Sequence, residues 1–507
     1  MIISISEDGK LKCNYLGTEP AFINSIVKED ISKPFNFQTA ESEYRSLQAK
    51  IKNAIMNTGT VITNSNVTGL ILNVEIPSKL DQLNSMNRNR ETELRDPLDA
   101  IPSITCKIQL KSAETVQNVK LTINCNLPIV AVPDTICYAS IGSIQYEQEV
   151  CFYMKTKHIP SSLDVNVCAS YSYTTNGATK IAETKFRLPL KLIMKSGQQL
   201  MSQEDQDNKK VMTTLKKITL ESSKQCVNLT EIFPEFASSY MPSNGNILSA
   251  QIYGHANFNI SIQGSKSGSN RYRIQTENFE CLWLVLQEFV IRLQNYYSKQ
   301  SQEVQLTFQE NLPIEEFRII IDKHLELRQT LEKHKENLEK CCVQFRAIQK
   351  RLLAKFKDKS PTSLENLDVL LDATYRQISL ISDYYLSTQK ELSMTTNVLN
   401  CYSNLYVLLV SLAFKFSKEG MDILESVMTN QVGDTADLGW EEVVNAAVSN
   451  LIRTALSKSS KDSSNQPQIS LKIPTDSNKI EKQLRSFVSK LESGASLVPS
   501  FYQKKGK

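Results

Sequence analysis

Phe317-Arg-Ile-Ile-Ile-Asp-Lys-His-Leu-Glu-Leu-Arg-Gln-Thr-Leu331 opens the stretch whose reading decides the fold. Counting by sevens from Phe317 gives Phe317, His324, Leu331, Leu338, Phe345 and Leu352. Three residues further on in each heptad stand Ile320, Leu327, His334, Cys341 and Ile348. A seam that keeps its register over several heptads predicts a helix packed lengthwise on another. At ~1.5 Å per residue, the rod would be about 50 Å long. Pro361 ends it, because the residue before a proline is pushed out of helical geometry. A second seam follows: Leu364, Leu371, Ile378, Tyr385, Leu392, Leu399 and Tyr406. Leu367, Ile381, Tyr402 and Leu409 accompany it, while Thr374, Thr388 and Thr395 weaken that side. Two such helices joined by a short turn predict an antiparallel helical hairpin over 313–430. Its seam residues Leu331, Leu338, Phe345, Leu352, Leu371, Ile378, Tyr385 and Leu392 are expected to pack within the rod or against a partner.

Outward from this rod, the composition is that of an ordinary soluble chain, 41% hydrophobic and 22% charged over 507 residues. A net charge of +4 is mild, so nucleic acid is not an expected partner. Met1-Ile-Ile-Ser-Ile-Ser6 has neither the basic region nor the apolar core of a signal peptide. Eleven cysteines, an odd number with no C-x-x-C, predict a reducing compartment and buried free thiols. Cys106, Cys125, Cys151 and Cys168 sit in apolar strand patterns. The apolar run Leu405–Phe414 is about half of the roughly 20 residues a bilayer span needs, and is expected to be buried by protein.

Taken in order, residues 1–20 contain two short strands around Asp8-Gly9, a hairpin turn signal. Residues 35–57 form a candidate linker helix with Tyr44, Leu47, Ile51 and Ile55 on one face. From Leu70 to Ile193 the apolar period falls to two, predicting about seven short strands and a β-sandwich over 67–195. Pro189 in the last of these suggests an edge. Leu80–Ala100 reads as a polar loop and Ser196–Lys210 as a linker. Residues 211–310 read as a small α/β unit, with strands at Ile247–Tyr253, Phe258–Gln263, Arg271–Gln275 and Val304–Phe308. Its one helix, lined by Leu282, Trp283, Leu286, Phe289 and Leu293, is expected to be capped by Thr276. Residues 436–492 hold C-terminal helices around the low-complexity segment Ser457–Asp476, and 493–507 form a tail. Removing Asp462–Lys507 is expected to matter little. The fold class is thus a multidomain mixed chain: β-sandwich, small α/β platform, long antiparallel helical hairpin, C-terminal helices.

The residues offer no catalytic constellation. Of the four histidines, His158, His255, His324 and His334, the last two fall on the hairpin seam and read as tolerated core or boundary residues in preference to a pH-sensitive break in the rod. No Cys or His pair has metal-ligand spacing, and no nucleophile has a local motif. Gly264-Ser-Lys-Ser-Gly-Ser-Asn-Arg271 lacks the end of a phosphate loop and reads as a hairpin turn. Arg271-Tyr-Arg-Ile reads as a half-exposed strand, and Lys350–Lys359 as the solvated face of the rod. The expectation is a non-enzymatic interaction scaffold with no cofactor.

Four segments carry a resemblance: Lys185-Phe-Arg-Leu-Pro-Leu-Lys-Leu192; Arg271-Tyr-Arg-Ile-Gln275 with Leu282-Trp-Leu284; Gln344-Phe-Arg-Ala-Ile-Gln-Lys-Arg-Leu-Leu353 with Phe356–Pro361; and Leu438-Gly-Trp-Glu-Glu442 with Leu456–Lys461. In this order they resemble the parathyroid hormone-responsive B1 family, the ninth Bardet–Biedl syndrome protein and a BBSome subunit. Phe186, Leu188, Arg273, Trp283, Phe345, Arg346 and Trp440 are among the positions that carry it. The resemblance implies an adaptin-ear-like sandwich, a platform and a hairpin. It implies a scaffold role in a coat-like complex that traffics membrane proteins to and from the cilium and is needed for cilium assembly. Implied partners are the other BBSome subunits and, through them, an Arf-like GTPase, intraflagellar transport trains and membrane-protein cargo. Implied locations are the cytoplasm, centrosome and centriolar satellites, basal body and ciliary membrane. The family's N-terminal β-propeller is expected to be absent, with 1–20 a remnant of its closing strands. The alternative is a subunit of a non-ciliary vesicle coat or tethering complex.

Overall fold

The computed structural model describes residues 2–5, 11–14, 42–47, 49, 69–81, 102–156, 158–173, 179–196, 216–236, 246–253, 259–264, 270–357, 366–416, 418–429, 439–454, 477–495 and 497. The expected Asp8-Gly9 turn, most of the loop 80–100, the linker 197–210, the Gly264–Arg271 turn, the low-complexity segment, most of the tail, His255 and Leu364 lie outside these residues. The chain divides into two compact units. One comprises Met1–Thr39, Arg318–Thr396 and Gln431–Lys490; the other comprises Ala40–Phe317, Asn397–Asn430 and Leu491–Lys507.

Strands β1 (Ile2–Ile5) and β2 (Leu11–Asn14) pair antiparallel, as the Asp-Gly signal predicts. Residues 42–47 are helical, with Tyr44 and Leu47 exposed; Ile51 and Ile55 of the expected linker helix lie outside the described residues.

The sandwich is built from β3 (Leu70–Glu75), β4 (Ser103–Ser112), β5 (Val116–Asn124), β6 (Ile129–Val132), β7 (Thr135–Ile141), β8 (Tyr146–Met154), β9 (Asp164–Tyr173) and β10 (Thr179–Arg187). Two antiparallel sheets run β3-β4-β8-β6 and β10-β9-β5-β7. The alternation works as expected: Ile104, Cys106, Ile108 and Leu110 on β4 are fully buried, as are Leu121 on β5 and Val167 on β9. Each such Ile, Leu or Val contributes about 1.5–3 kcal/mol by leaving water. Phe152 and Phe186 meet edge to face at 5.8 Å. Strand β6 was not legible, because Pro128 and Pro133 flank four residues and make the run read as a turn.

The expected strand through Phe186–Leu192 is a correction. β10 ends at Arg187, and Leu190–Leu192 form a 3-10 turn behind Pro189. A proline has no N–H for the ladder and fixes φ, here −71°, so it opens the turn instead of lining an edge. The chain then enters the next sheet as β11 (Met194–Ser196), paired with β13.

The platform sheet adds β12 (Lys216–Ser222), β13 (Ile247–Ile252), β14 (Asn259–Gly264), β15 (Arg271–Thr276) and β16 (Leu306–Phe308), in the order β11-β13-β14-β15-β12-β16. β12 is an interior strand that the sequence reading missed; its alternation of Ile218 and Leu220 with Lys217 and Thr219 is short and follows a polar linker. Helix α1 (Phe279–Lys299) buries Leu282, Leu286, Phe289 and Leu293, and Phe289 meets Tyr272 at 4.9 Å. Thr276 does not cap this helix. The N-cap is Asn278, and the Thr276 hydroxyl bonds the Asn278 N–H and C=O instead.

Helices α2 (Ile314–Lys357) and α3 (Leu367–Phe414) make the hairpin, 44 and 48 residues long. Phe317 stacks on Tyr402, His324 bonds Thr396, Phe345 meets Tyr375, and Ile348 and Leu352 cluster with Leu367 and Leu371. One number rises as the other falls, which is an antiparallel pairing. Leu352 is buried; Leu331, Leu338, Phe345, Leu371, Ile378, Tyr385 and Leu392 are half-buried, as a two-helix rod requires. The companion positions Ile320 and Leu327 are only half-buried, whereas Ile321 and Leu325 are buried. Further along, the companions Cys341 and Ile348 are buried as counted, so the misplacement is confined to the start of the rod. Thr374 and Thr395 do not break the seam: each is buried and donates its hydroxyl to the carbonyl four residues back, Leu370 and Glu391.

By length and composition α3 could cross a membrane. Its apolar end is buried by protein, with Leu405, Tyr406, Leu409, Val410 and Leu412 all buried. After it come α4 (Lys418–Met428), α5 (Trp440–Thr454) and α6 (Asn478–Glu492). On α6, Ile480, Leu484, Phe487 and Leu491 recur at helical spacing and are buried. The short helix expected at Ile480–Leu491 is thus α6, and because it is part of a core it weighs against the expectation that removing Asp462–Lys507 matters little.

Candidate functional site

Two sets of buried polar groups hold elements together, one in each unit.

The first begins in the sandwich. Ile159, Pro160 and Ser161 lie just before β9 and are buried. A buried backbone carbonyl needs a donor. Ser161 C=O accepts from Trp283 Nε1 on α1 at 2.8 Å and from Asn404 Nδ2 on α3 at 3.4 Å. Pro160 C=O accepts from Cys401 Sγ at 3.7 Å. Burial, and then the charge of Glu280, push the Cys401 thiol up, so it keeps the proton it donates. One short loop thus receives the platform helix and the returning hairpin helix. Beside it, Arg187 on β10 bonds Asp164 at 2.9 Å and reaches across to Gln287 at 2.7 Å and Glu288 at 3.4 Å on α1. Glu288 continues to Arg292 at 2.7 Å, and Arg292 to Glu235 at 2.6 Å. The signs alternate along this chain, which fixes the sandwich against the platform.

The second set joins α2 to α5. Arg328 Nη1 donates to Glu441 Oε2 and Glu442 Oε2, both at 2.7 Å, and Nη2 donates to Glu442 Oε1 at 2.8 Å. His324 Nδ1 lies 2.5 Å from Glu441 Oε1, in hydrogen-bond contact. Its Nε2 lies 3.0 Å from Thr396 Oγ1, whose own proton goes to Leu392 C=O at 2.8 Å. Both ring nitrogens of His324 are thus engaged. Arg328 and His324 face two carboxylates in a closed set, with Glu441 0% and Glu442 3% exposed. Burial alone would raise Glu441. The His324 hydrogen bond and the charges of His324 and Arg328 outweigh it and hold the carboxyl below its usual value. For Arg328, burial works against the charge, but hydrogen bonding to Glu442 and the two carboxylate charges win, and its pKa rises.

Gly439 makes this possible. A Cβ there would stand 2.0 Å from Arg328 Nη1, so only glycine lets the guanidinium reach the start of α5. Trp440 is buried beside it. The order Glu441–His324–Thr396 has the outline of a catalytic triad. The hydroxyl's proton is committed to Leu392, however, and the imidazole is buried, so the set fastens helices.

The residues singled out from the sequence do not converge. Phe186 and Leu188 sit in or beside the sandwich core, and Arg273 is exposed on β15. Phe345 and Arg346 lie on the hairpin, Trp283 belongs to the first lock, and Trp440 flanks the second. The reading of His324 as a tolerated core residue missed its partners. Arg328, Glu441, Glu442, Arg187, Ser161 and Cys401 were also missed. Two signals were available: an arginine one turn on from a histidine on the seam (Arg328 after His324), and adjacent carboxylates opening a helix in Gly-Trp-Glu-Glu. Among the described cysteine side chains all nine thiols are free, but only Cys106, Cys341 and Cys401 are buried; Cys125, Cys151 and Cys168 are half-buried and Cys137 is exposed. Among the described residues no group of His, Cys, Asp and Glu could hold a metal ion.

A sandwich, a platform sheet, a long hairpin and a terminal helix bundle, fastened by buried polar locks, define a multidomain protein of scaffold architecture. Family models agree domain by domain: PTHB1 GAE domain at 99–186, PTHB1 platform domain at 199–310, PTHB1 hairpin at 311–414 and PTHB1 C-terminal helix bundle at 416–491. The chain belongs to the PTHB1 family, and its sandwich is the adaptin-ear-like domain of that family. It is 34% identical over 507 residues to Protein PTHB1 of Homo sapiens, covering 99% of this chain and 55% of the human protein. It is 34% identical to that of Xenopus laevis over 98% of this chain and 57% of the relative. The homolog of Caenorhabditis elegans is 25% identical over 76% of this chain and 46% of its own length. The chain thus spans about half the length of these relatives. A solved FixG-related protein from Vibrio parahaemolyticus aligns with 24% of the chain and 97% of its own at 11% identity, with a TM-score of only 0.16.

Proposed function

We propose that this chain is a non-catalytic scaffold subunit of the BBSome, a coat-like complex that moves membrane proteins to and from the cilium and is needed for cilium assembly. Membership of the PTHB1 family supports this reading. The observation that carries it is the use made of buried polar groups. His324, Arg328, Glu441 and Glu442 are spent on fastening α2 to α5, and Trp283 and Cys401 on fastening α1 and α3 to one loop. Groups committed in this way build a rigid frame and are not available to a substrate. The partners on this reading are the other BBSome subunits and, through them, an Arf-like GTPase, intraflagellar transport trains and membrane-protein cargo. The chain acts in the cytoplasm, at centriolar satellites and the basal body, and peripherally at the ciliary membrane.

The test is co-precipitation of the other subunits with the full chain and with a version lacking 313–430, alongside the ciliary level of a receptor cargo. Loss of both with the deletion is expected. Full incorporation without the hairpin, association with a vesicle coat away from cilia, or normal ciliary receptor in cells lacking the protein would refute the reading.

A further inference from the structure

The basic strand Arg271-Tyr-Arg-Ile takes no part in either lock. Alternation sends its side chains to opposite faces of the platform sheet. Tyr272 is fully buried against Phe289 of α1, and Ile274 shares that inner face with Ile262 and Ile218, which stand opposite it in register. Arg271, Arg273 and Gln275 therefore lie on the outer face. Register carries this face across the neighbouring strands. Gln275 stands between Ser261 on β14 and Lys217 on β12, and Ser261 stands opposite Ser249 on β13. The adjoining row holds Gln263, Arg273 and Thr219.

The carboxylates near this face are engaged. Glu221 pairs with Arg271 at 2.6 Å and accepts from Gln309 at 2.7 Å, and Glu310 accepts from the Thr219 N–H at 3.2 Å. Arg273 and Lys217 are exposed, and among the described residues no carboxylate pairs with either. They are diagonal neighbours on adjacent strands, ~7–8 Å apart, a gap that long side chains close. Beside them stand hydroxyls that the fold leaves unused. Ser261 is 1% and Ser249 8% exposed, yet neither Oγ has a hydrogen-bond partner. Glu277, four residues on from Arg273 and just past β15, likewise keeps a buried oxygen, Oε2, without one. Unmet buried groups of this kind are costly unless something outside the chain supplies the bond. Among the described residues of 216–310 no large apolar or aromatic side chain is exposed. A protein partner draws its grip from such anchors, and so does a bilayer. With Tyr272 turned inward, β15 has no ring on which a nucleobase would stack. A small, polar, soluble anion is what remains.

We infer that the outer face of β12, β13, β14 and β15 binds a soluble phosphorylated polyol, an inositol polyphosphate by class, with phosphate on Arg273 and Lys217 and ring hydroxyls on Ser249, Ser261 and Gln275. The arginine fork and the lysine ammonium both suit phosphate oxygens. Polyol hydroxyls donate and accept, as do the serine hydroxyls and the glutamine amide that face them. The row from Ser249 to Lys217 crosses three strand spacings. That is ~14 Å, longer than one phosphate and suited to a ring that carries several. The inference goes beyond the scaffold reading and does not rest on it.

The experiment is isothermal titration calorimetry of the full chain with inositol trisphosphate and, separately, inositol hexakisphosphate, set against tripolyphosphate, which has the charge without the ring. At least one ring ligand is expected to bind, at least about tenfold tighter than tripolyphosphate. Arg273→Gln/Lys217→Gln should weaken the ring at least about tenfold, and Ser249→Ala/Ser261→Ala roughly three- to tenfold. Lys120→Gln, at an exposed cation of the sandwich, should change little. The two cations are exposed and the two hydroxyls have no partner, so thermal unfolding without ligand should not move in either double variant. The ring ligand should raise the unfolding temperature of the parent chain and raise it less in the variants. Should a double variant fail to fold, Arg273→Lys carries the expectation: the charge stays, the fork goes, and affinity for the ring falls while that for tripolyphosphate holds. Absence of binding by both rings, equal affinity for tripolyphosphate, or undiminished affinity in the cation variant would overturn the inference. So would flotation with phosphatidylcholine vesicles containing phosphatidylinositol bisphosphate when neither soluble ring binds.

Discussion

Replacing Arg328 by methionine removes three hydrogen bonds of 2.7–2.8 Å and one positive charge, and leaves Glu441 and Glu442 buried with only His324 to face them. The methionine fills much of the same space, so the loss is chiefly electrostatic. Stripping one partner from a buried ion set costs about 3–5 kcal/mol. Each 1.4 kcal/mol is tenfold, so the opening constant of α5 should rise between about a hundred- and several thousand-fold. The assay is amide hydrogen exchange by mass spectrometry on peptides covering Trp440–Thr454, which reads the local event without a two-state assumption for the whole chain. The pH dependence fixes the cause. Glu441 is held below 4.5, so in the parent chain its contribution is fully present above that value and is lost as pH falls through the lower folded value. In the variant the unpaired carboxylates resist ionisation, and protonation relieves them. The gap between parent and variant should therefore close as pH falls through the carboxylate range. Unchanged α5 protection at pH 7, or a gap that widens in acid, would refute the lock.

Gly439→Ala should act on the same lock, costing roughly 1–3 kcal/mol by displacing the guanidinium, with faster exchange in α5 as the readout. Trp283→Phe should cost about 1 kcal/mol, the low end for a lost buried hydrogen bond because Asn404 still donates to Ser161, and thermal unfolding of the chain should show it. Leu352→Asp puts a charge among Ile348, Leu367 and Leu371 and should cost several-fold more than Phe345→Asp at its half-buried site, while exposed Lys350→Asp should stay within about 0.5 kcal/mol; equal effects in exchange of the hairpin amides would undo the seam assignment. At pH 8 a thiol reagent should label exposed Cys137 first and leave Cys106 and Cys401 intact, since burial, followed by the charges of Asp81 and Cys151, pushes Cys106 up to about 12; rapid labelling of Cys106 in the folded chain would contradict the sandwich core.

Local pattern alone determined the elements with long or regular periods. Leu331 to Leu352 and Leu371 to Tyr406 repeat often enough that helices and their contact faces follow from spacing. Ile104, Cys106, Ile108 and Leu110 alternate over enough residues to name a half-buried strand. Short elements escaped: β6 between two prolines, β12 after a polar linker, and the break at Pro189 that hands the chain from one sheet to the next. The companion position was also misplaced at the start of the rod, where Ile321 and not Ile320 is buried. The locks were beyond reach for a different reason. His324 and Glu441 are 117 positions apart, and Trp283 and Ser161 are 122 apart. Periodicity says which face of an element is buried, not what lies against it. Only the tertiary structure decided that a histidine on an apolar seam, an arginine one turn on and two carboxylates after a glycine would meet, and so only it turned four polar residues into one fastening.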